Sequence, residues 1–395
     1  KWVEKFAAVY TPVVMLSALL ILIVPPLAFG GDWSDWLYRS LVLLVIACPC
    51  ALVISTPVSV VAALAAAARN GVLIKGGVFI ELPSRLKAIA MDKTGTLTQG
   101  RPVVVDVVPL SGHDDEELLT RAGALEQNSN HPLARAIVEE TKRRGLTIAA
   151  ADEFEIIQGK GASGTFNGKT YWLGSHRYLE QRGQETPGVH EQLEAMQEAG
   201  RTVVVIGNDH HVCGYITLAD AIRDESRDAV IQLHDAGIEH LVMLTGDNQG
   251  TADAIAKQAG IDEVRAELLP EDKVDAVEKL VEQYGHVAMI GDGVNDAPAL
   301  ARASLGLAMG AAGSDAAIET ADIALMSDDL SKLPWLIHHS RRTLSIIRQN
   351  IGFSLAVKAL FVVLTFAGYA SLWAAIAADM GASLLVIGNG LRLLR

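Results

Sequence analysis

A carboxylate, an ammonium group and several hydroxyl groups follow one another in the heptad Asp92–Thr98, whose sequence is Asp-Lys-Thr-Gly-Thr-Leu-Thr. The apolar residues 88–91 before it predict a short buried strand, and open α/β sheets present their ligands at the ends of such strands. A carboxylate there can accept a phosphoryl group as an aspartyl phosphate, which divides one difficult transfer into two easier ones. Lys93 would offset phosphate charge, the threonines would donate hydroxyl groups, and Gly95 permits a sharp turn. The heptad therefore predicts phosphoryl transfer to Asp92, with an ordinary aspartate in a threonine-rich turn as the alternative.

Two later motifs supply further groups for a bound phosphate. Thr245, Gly246 and Asp247 follow an apolar run and so lie at the end of another predicted strand. Thr245 and the Gly246 backbone would hold phosphate oxygens, and Lys273, near the start of a predicted helix, would bring a second positive charge. With Asp92 and Thr94 they complete the predicted catalytic set. Each motif alone is also compatible with a turn whose aspartate caps a helix.

A third strand-end motif, Ile290–Asp296, offers a cluster of oxygen ligands. Magnesium takes few carboxylates from a protein and fills its other positions with phosphate oxygens and water. Asp292 is the predicted Mg²⁺ ligand of this motif, together with Asp92 and Thr94 of the heptad. Asn295 and Asp296 are expected to order the loop or to bind the ion through water.

The heptad resembles the phosphorylation signature of P-type ATPases. Together with the later motifs, in this order, it is similar to the haloacid-dehalogenase-type phosphorylation domain of that family, from Asp92 to about Leu325. Asp220 and Arg223 match the hinge motif of the family. The resemblance implies ATP as substrate, Mg²⁺ as cofactor and an aspartyl-phosphate intermediate at Asp92.

A nucleotide pocket is indicated in the polar segment after the heptad. His131 precedes Pro132, which suits the first turn of a helix, and its ring could stack on an adenine or hydrogen-bond to it. The glycines of Gly159-Lys160-Gly161 would let a nucleotide approach the backbone closely, but the segment lacks the ending of a Walker P-loop. With Glu126, these residues resemble the nucleotide pocket of the heavy-metal P-type ATPases. That resemblance implies nucleotide binding by Glu126, His131, Gly159 and Gly161. Structural roles for the His-Pro pair and the glycines are the alternative.

Half of the residues are hydrophobic, and four long apolar runs stand out, at residues 9–29, 37–68, 346–366 and 374–391. Each run is long enough to cross a hydrocarbon core of about 30 Å. Basic residues flank one side only, and the positive-inside rule then places both termini and the middle section in the cytoplasm. We expect an integral protein of a bacterial inner membrane, with buried helices of a large soluble protein as the alternative.

A metal site is predicted inside these runs. Cys48-Pro49-Cys50 interrupts the second run, where proline breaks the helix and thiolates favour Cu⁺, Zn²⁺ or Cd²⁺. Lys358 and Asp379 lie inside the third and fourth runs, and a charge at membrane depth is a functional candidate that needs a partner. Asp379 would bind the cation with the thiolates of Cys48 and Cys50. Lys358 would pair with Asp379 when the site is empty, as a built-in counterion.

The Cys-Pro-Cys triplet resembles the transport signature of heavy-metal P-type ATPases. Two thiolates and a carboxylate carry three negative charges, which suits a divalent ion better than Cu⁺. The pattern is similar to the Zn²⁺/Cd²⁺/Pb²⁺ group, and the polar pairs of the copper group are not found at the matching places. Export of Cu⁺ is the second hypothesis. Cys213 is predicted to be a core residue, and the eleven histidines form no metal-binding tail.

The predicted fold is an α-helical transmembrane bundle with a cytoplasmic α/β phosphorylation domain, a haloacid-dehalogenase-like parallel sheet, and an inserted α+β nucleotide-binding domain. Alternating helix and strand patterns after Asp220 indicate the parallel sheet, with Ile89–Thr98 as its first strand. The predicted domains are residues 1–75, with two transmembrane helices and the Cys-Pro-Cys site; 76–100 with 215–331, the phosphorylation domain; 101–214, the nucleotide-binding domain; and 332–395, with two more transmembrane helices.

The resemblance implies ATP-driven export of Zn²⁺, Cd²⁺ or Pb²⁺ across the cytoplasmic membrane by a monomeric pump embedded in lipid. The chain opens at Lys1, and the actuator domain, the preceding membrane helices and any N-terminal metal-binding domain of the family are not recognised, so we expect a piece of a longer protein. A net charge of −13 argues against nucleic acid as a partner, and three cysteines fit a reducing compartment. A membrane-tethered phosphatase and a non-enzymatic metal-binding membrane protein are the alternatives.

Overall fold

The computed structural model describes residues 2–47, 50–129, 131–148, 151–157, 160–166, 168–291, 296–310, 319–327, 329–369 and 371–394; for residues 2–9, 29, 50–52 and 366 it describes the backbone alone. The chain divides into two compact units. The helical unit comprises Lys1–Ser84 and Trp335–Arg395, and the α/β unit comprises Arg85–Pro334. The helical unit includes residues 76–84, and the predicted domain bounds stay predictions.

The helical unit begins with three helices, α1 (Trp2–Phe29), α2 (Trp33–Ala47) and α3 (Cys50–Arg69). A short strand, β1 (Val72–Ile74), and a short helix, α4 (Gly77–Glu81), follow them. The second apolar run of the sequence is thus divided between α2 and α3. Cys48 and Pro49 lie outside the described residues, and so does the side chain of Cys50.

The α/β unit begins with strand β2 (Ala88–Asp92), whose five residues are all buried. The predicted strand Ile89–Thr98 is wrong in its second half, because the chain leaves the sheet after Asp92 and forms a wide helical turn over Lys93–Leu97. Gly95 has φ 72° there, a backbone conformation that a side chain would disfavour. The Thr98 amide closes the turn on the Lys93 carbonyl at 3.1 Å.

After the turn, the chain builds an antiparallel sheet with the strand order β3-β8-β7-β6-β5-β4. Its strands are β3 (Val103–Pro109), β4 (Asp152–Ile157), β5 (Gly161–Phe166), β6 (Lys169–Gly174), β7 (Thr202–Asn208) and β8 (Val212–Ala219). Its helices are α5 (Asp115–Glu126), α6 (Pro132–Arg143), α7 (His176–Arg182) and α8 (Pro187–Glu198). Alternate residues of the strands face α5 and α6 on one side and α7 and α8 on the other, as the two-residue period of a strand requires. The sheet extends through Ala219, past the predicted domain boundary at residue 214.

The chain then returns to the sheet that contains β2. The elements that follow are α9 (Ser226–Asp235), β9 (His240–Leu244), α10 (Gln249–Ala259), β10 (Glu263–Arg265), α11 (Pro270–Tyr284), β11 (Val287–Gly291), α12 (Ala297–Arg302), β12 (Leu305–Ala308) and β13 (Ile323–Leu325). These strands pair in parallel in the order β13-β12-β11-β2-β9-β10. The chain winds to one side of β2 through β9 and to the other through β11, so β2 stands where the strand order reverses. Open α/β sheets bind their ligands at such a switch point.

Two long helices complete the helical unit, α13 (Lys332–Phe366) and α14 (Leu372–Leu391). Among the described residues, three segments are long and apolar enough to cross a membrane: Tyr10–Ala28, Lys332–Thr365 and Leu372–Leu394. The apolar part of α3, Val53–Arg69, is shorter. The predicted spans at residues 9–29, 346–366 and 374–391 therefore correspond to helices of sufficient length, and α13 begins well before the third predicted span.

Candidate functional site

The carboxyl edge of the parallel sheet brings the predicted phosphoryl-transfer residues together. In the register of β2 with β9, Asp92 lies opposite Leu244, so Thr245 and Gly246 follow at the same edge. In the register of β2 with β11, Met91 lies opposite Ile290. Strands that end in step place their following loops side by side, which is why motifs distant in sequence meet here.

Asp92 is held at both carboxylate oxygens. Its Oδ2 accepts a hydrogen bond from the Thr94 amide at 2.9 Å, and its Oδ1 accepts one from Lys273 Nζ at 2.5 Å. Only 9% of the Asp92 side chain is exposed. The Lys273 ammonium group and the Thr94 amide therefore fix the orientation of this largely buried carboxylate, as an in-line nucleophile would require.

Lys273 also binds a second carboxylate, that of Asp296, at 2.8 Å. The sequence predicts that Asp296 orders the loop or binds the ion through water. In the structure its side chain is only 2% exposed and is one of the two carboxylates that pair with this lysine. Gly291 leaves room for the Asp296 side chain, because a Cβ at residue 291 would lie 2.5 Å from Asp296 Oδ2. Burial opposes the charge of Lys273, but Asp92 and Asp296 outweigh it and raise the pKa of the ammonium group. The signal available in the sequence was the glycine at a strand end followed shortly by an aspartate.

Lys93 forms the other ion pair of the site, with Asp247 Oδ2 at 2.5 Å. Its side chain is 7% exposed, so the charge of Asp247 compensates a buried ammonium group. Thr245 Oγ1 accepts a hydrogen bond from the Asp247 amide at 3.1 Å, which shapes the loop after β9. Phosphate contacts by Thr245 and Gly246 stay predictions.

The described charged groups of the site carry excess negative charge, which a cation would neutralise. Asp92, Asp247 and Asp296 supply three carboxylates, while Lys93 and Lys273 supply two ammonium groups, so the described groups carry one formal negative charge in excess. Carboxylate and backbone oxygens are the donors that Mg²⁺ prefers. The residues present therefore fit the ion, although Asp292, the main predicted ligand, lies outside the described residues.

Asp220 and Arg223 follow the inserted domain, which contains the antiparallel sheet β3–β8 and is called the insertion below, and both contact the heptad. Asp220 accepts hydrogen bonds from Thr98 Oγ1 at 2.5 Å and from the Gly100 amide at 3.2 Å. Arg223 donates to the carbonyls of Gly95 at 3.0 Å and Thr96 at 3.2 Å. The two residues thus hold the chain segments that leave and re-enter the parallel sheet against the backbone of the heptad.

Of the predicted nucleotide residues, His131, Glu126 and Gly161 lie in the described part of the inserted domain, at the start of α6, the end of α5 and the start of β5. His131 caps α6, where its Nδ1 accepts a hydrogen bond from the Leu133 amide at 3.3 Å, which leaves the ring proton on Nε2. The pKa of His131 is lowered, mainly by desolvation; the charge of Asp247 raises it and that of Lys93 lowers it. The imidazole is therefore within electrostatic range of the ion pair between Lys93 and Asp247. Burial raises the pKa of Glu126, against a hydrogen bond from Ser129.

The glycines of the predicted nucleotide pocket are less informative. Gly159 lies outside the described residues. Gly161 has a packing reason of its own, because a Cβ there would lie 1.9 Å from the Leu173 carbonyl oxygen on the neighbouring strand. Close approach of a nucleotide to Gly161 stays a prediction.

In the helical unit, the two charges at membrane depth form an ion pair. Lys358 Nζ on α13 lies 2.9 Å from Asp379 Oδ1 on α14, and both side chains are largely buried. The same ammonium group donates to the Ile46 carbonyl at 2.8 Å. That carbonyl belongs to the last turn of α2, where the helix ends before Cys48-Pro49-Cys50. Lys358 therefore satisfies a carbonyl at the helix break, as apolar surroundings require.

Comparison with known proteins agrees with this site. Haloacid dehalogenase-like hydrolases match residues 86–304, which include Asp92, Lys273 and Asp296. The match covers more than half of the chain, and it contains the parallel sheet with its insertion. The chain therefore belongs to the haloacid dehalogenase-like hydrolase family.

Individual proteins that are similar to this chain indicate a subgroup within this family. A probable cadmium-transporting ATPase of Staphylococcus aureus is 48% identical over 399 residues, which cover 100% of this chain and 50% of that protein. The zinc/cadmium/lead-transporting P-type ATPase of Escherichia coli K12 is 45% identical over 398 residues, covering 100% and 53%. A crystal structure of a zinc-transporting PIB-type ATPase in the E2.Pi state superposes with a TM-score of 0.79 at 44% identity, over 100% of this chain and 64% of that one. Within its family, the chain is similar to heavy-metal P-type ATPases, and it spans about half the length of the curated relatives it matches.

Proposed function

We propose that this chain carries the catalytic site and part of the ion path of an ATP-driven exporter of Zn²⁺, Cd²⁺ or Pb²⁺. The observation that carries the proposal is Asp92, a buried carboxylate at the switch point of the sheet with Lys273 on one oxygen and the Thr94 amide on the other. The names of the similar proteins support the choice of ions.

In the proposed phosphoryl transfer, one Asp92 oxygen attacks the γ-phosphorus of ATP, the bond to the bridging oxygen breaks, and ADP leaves with that electron pair. Lys273 and Lys93 then face three charged phosphoryl oxygens, and charges fixed in a buried site stabilise such a transition state without reorganisation. A magnesium ion held by Asp92, Thr94 and Asp292 would supply further neutralisation of the phosphate oxygens. Hydrolysis of the aspartyl phosphate by water returns the carboxylate and releases phosphate.

In the proposed ion path, the transported cation binds the thiolates of Cys48 and Cys50 and the carboxylate of Asp379. Lys358 pairs with Asp379 when no cation is bound, and this exchange avoids an unpaired carboxylate at membrane depth. Two thiolates and a carboxylate carry three negative charges, which suits divalent Zn²⁺, Cd²⁺ or Pb²⁺ better than Cu⁺. Basic residues on one side of the apolar runs support a cytoplasmic location for the α/β unit and both termini, and we propose a monomeric pump.

The ion path is tested by replacing Asp379 with alanine in the full-length protein. We expect vanadate-sensitive ATP hydrolysis to lose its stimulation by Zn²⁺ and Cd²⁺, because the carboxylate that completes the divalent site is gone. Elemental analysis should show less bound Zn²⁺, and Asp35→Asn, at an exposed position at the start of α2, is the matched control. Unchanged Zn²⁺ binding with retained stimulation would remove the reason for a divalent substrate, and stimulation by Cu⁺ alone would favour the copper alternative.

The nucleotide role of His131 is tested by His131→Asn, which removes the ring but keeps a good helix cap. Loss of a ring-stacking contact of about 1 kcal/mol should weaken ATP binding roughly fivefold. The His131 pKa is lowered below its usual 6.5, so the ring is neutral at pH 7. The contribution of the ring to ATP affinity should therefore be constant above pH 7 and should decline only at acidic pH, where the ring becomes protonated. Calorimetric titration with ATP measures both effects. The control is Arg135→Ala, one turn further along α6 at an exposed position; equal affinities of both variants and wild type would remove His131 from the pocket.

A further inference from the structure

Three potential soft-metal ligands converge in the insertion, far along the sequence from the Cys-Pro-Cys triplet. His113 lies in the turn before α5, His211 in the turn between β7 and β8, and Cys213 on β8. One ligand atom from each lies within 4.8 Å of the others. The two imidazoles face each other through their Nε2 atoms, which are 3.0 Å apart. Two turns and a strand therefore bring two ring nitrogens and a sulfur close enough to surround one position.

The hydrogen bonds around His113 suit it to bind a cation. Its Nδ1 lies 2.8 Å from a carboxylate oxygen of Glu117, and a ring proton on Nδ1 leaves the lone pair of Nε2 directed at His211. Metal-binding histidines almost always donate the proton of their other ring nitrogen to an acceptor such as a carboxylate, a backbone carbonyl or water. Arg121, whose charge opposes a cation, pairs with the other oxygen of Glu117 and lies over the ring of Tyr171 at 4.1 Å. Its guanidinium group also lies 3.4 Å from His113 Nδ1, so binding of a cation requires that the Glu117 carboxylate keep this charge compensated.

Cys213 was expected to be a simple core residue, and it is fully buried among the side chains that α5 and α6 cover. Its sulfur is also 3.7 Å from Asn208 Nδ2, on the side where the imidazoles lie. Burial raises the pKa of the Cys213 thiol to about 11, so the thiol stays protonated in the absence of a cation. Formation of a sulfur–metal bond would release that proton to solvent.

We propose that His113, His211 and Cys213 form a second metal site, which binds one Zn²⁺ or Cd²⁺ ion outside the membrane. Two imidazoles and one thiolate, with water as the fourth ligand, are a set that zinc accepts. Tetrahedral zinc holds two nitrogens about 3.3 Å apart, so the pair at 3.0 Å needs to open only slightly. The site would join the start of α5 to the β7–β8 turn, at the opposite end of α5 from Glu126.

A second cluster of potential ligands, His176, Glu180, Glu185 and His190, is the less suitable one. His176 and His190 both bind the same oxygen of Glu185 through ring nitrogens, so the cluster is already satisfied as ion pairs. It lacks sulfur, and Glu180 is exposed. It therefore serves as an internal comparison.

The chain holds only three cysteines, which permits a selective test. In the 395-residue chain with Cys48→Ser and Cys50→Ser, the remaining thiol is Cys213, and the transport thiols are gone. Titration with Co²⁺, a spectroscopic substitute for Zn²⁺, should give one equivalent with a thiolate-to-metal charge-transfer band. Cd²⁺ should displace the Co²⁺ and raise the midpoint of heat unfolding.

Variants in that background decide the ligands. His113→Ala and His211→Ala should each weaken Co²⁺ binding about tenfold or more, while His210→Ala, in the same turn as His211, and His176→Ala, in the other cluster, should leave it unchanged. Equal unfolding midpoints without metal would show that the histidine variants are folded. Co²⁺ binding without the charge-transfer band, or binding lost in His176→Ala and retained in His113→Ala, would overturn the site. Because the transport thiols are absent from this background, the result is independent of whether the protein exports metal.

Discussion

Replacing Asp92 with asparagine is expected to abolish the phosphorylated form of the full-length protein. Asparagine has the shape of aspartate and can still accept a hydrogen bond from the Thr94 amide, but its amide group is not a nucleophile towards phosphorus. Incubation with γ-labelled ATP, acid precipitation and treatment with hydroxylamine measure the acyl phosphate directly. Wild type should carry an acid-stable, hydroxylamine-labile label, and the variant should carry none.

Retained ATP binding by Asp92→Asn is the necessary control, because the loss should lie in chemistry and not in the nucleotide pocket. Asp228→Asn provides the matched substitution, since Asp228 is an exposed aspartate in the first turn of α9 and in the same unit. It should label like wild type. A hydroxylamine-labile label in Asp92→Asn at the wild-type level would place the nucleophile elsewhere and refute the proposed function.

The position of Asp92 followed from sequence because its strand is short, wholly apolar and ended by a turn-forming motif. The same pattern marks β9 and β11, which each have five residues and are almost wholly buried. By contrast, β10, β12 and β13 have three or four residues, which is too short for any periodicity to be recognised. Those strands exist because neighbouring strands offer them hydrogen bonds, and that information is not local in sequence.

The sequence predicted an ion pair only where an unpaired charge would be energetically costly and therefore needed an oppositely charged partner. The expense of a charge in lipid predicted the pair of Lys358 with Asp379, and the two side chains lie 2.9 Å apart. No such constraint marked Asp296, because an aspartate before a helix has an ordinary capping role available. Its pairing with Lys273 depends on α11 and α12 both beginning near Asp92, which only the assembled sheet determines. Cys213 was likewise read as core, correctly for its burial, without the two histidines that fold against it.

The pairing of Lys273 with two carboxylates makes it the residue whose removal should cost most after Asp92. In Lys273→Met, the buried carboxylates of Asp92 and Asp296 would lose the ammonium group between them, and loss of one partner of a buried ion pair costs roughly 3–5 kcal/mol. We expect a clear fall in the midpoint of heat unfolding and almost complete loss of phosphorylation from ATP. The variant alone does not say whether the lysine is needed for folding or for chemistry.

A second substitution separates the two roles. Lys273→Met with Asp296→Asn removes the charge that is most deeply buried, so most of the lost stability should return. Phosphorylation should stay low, because the positive charge that faces the phosphoryl group is still missing. If the double variant recovered both stability and labelling, Lys273 would be a structural counterion only, and Lys93 would remain as the lysine at the phosphate. Lys93 is already paired with Asp247, so it alone would not balance the negative charge of the transferred phosphoryl group. We therefore expect the double variant to regain stability but not phosphorylation.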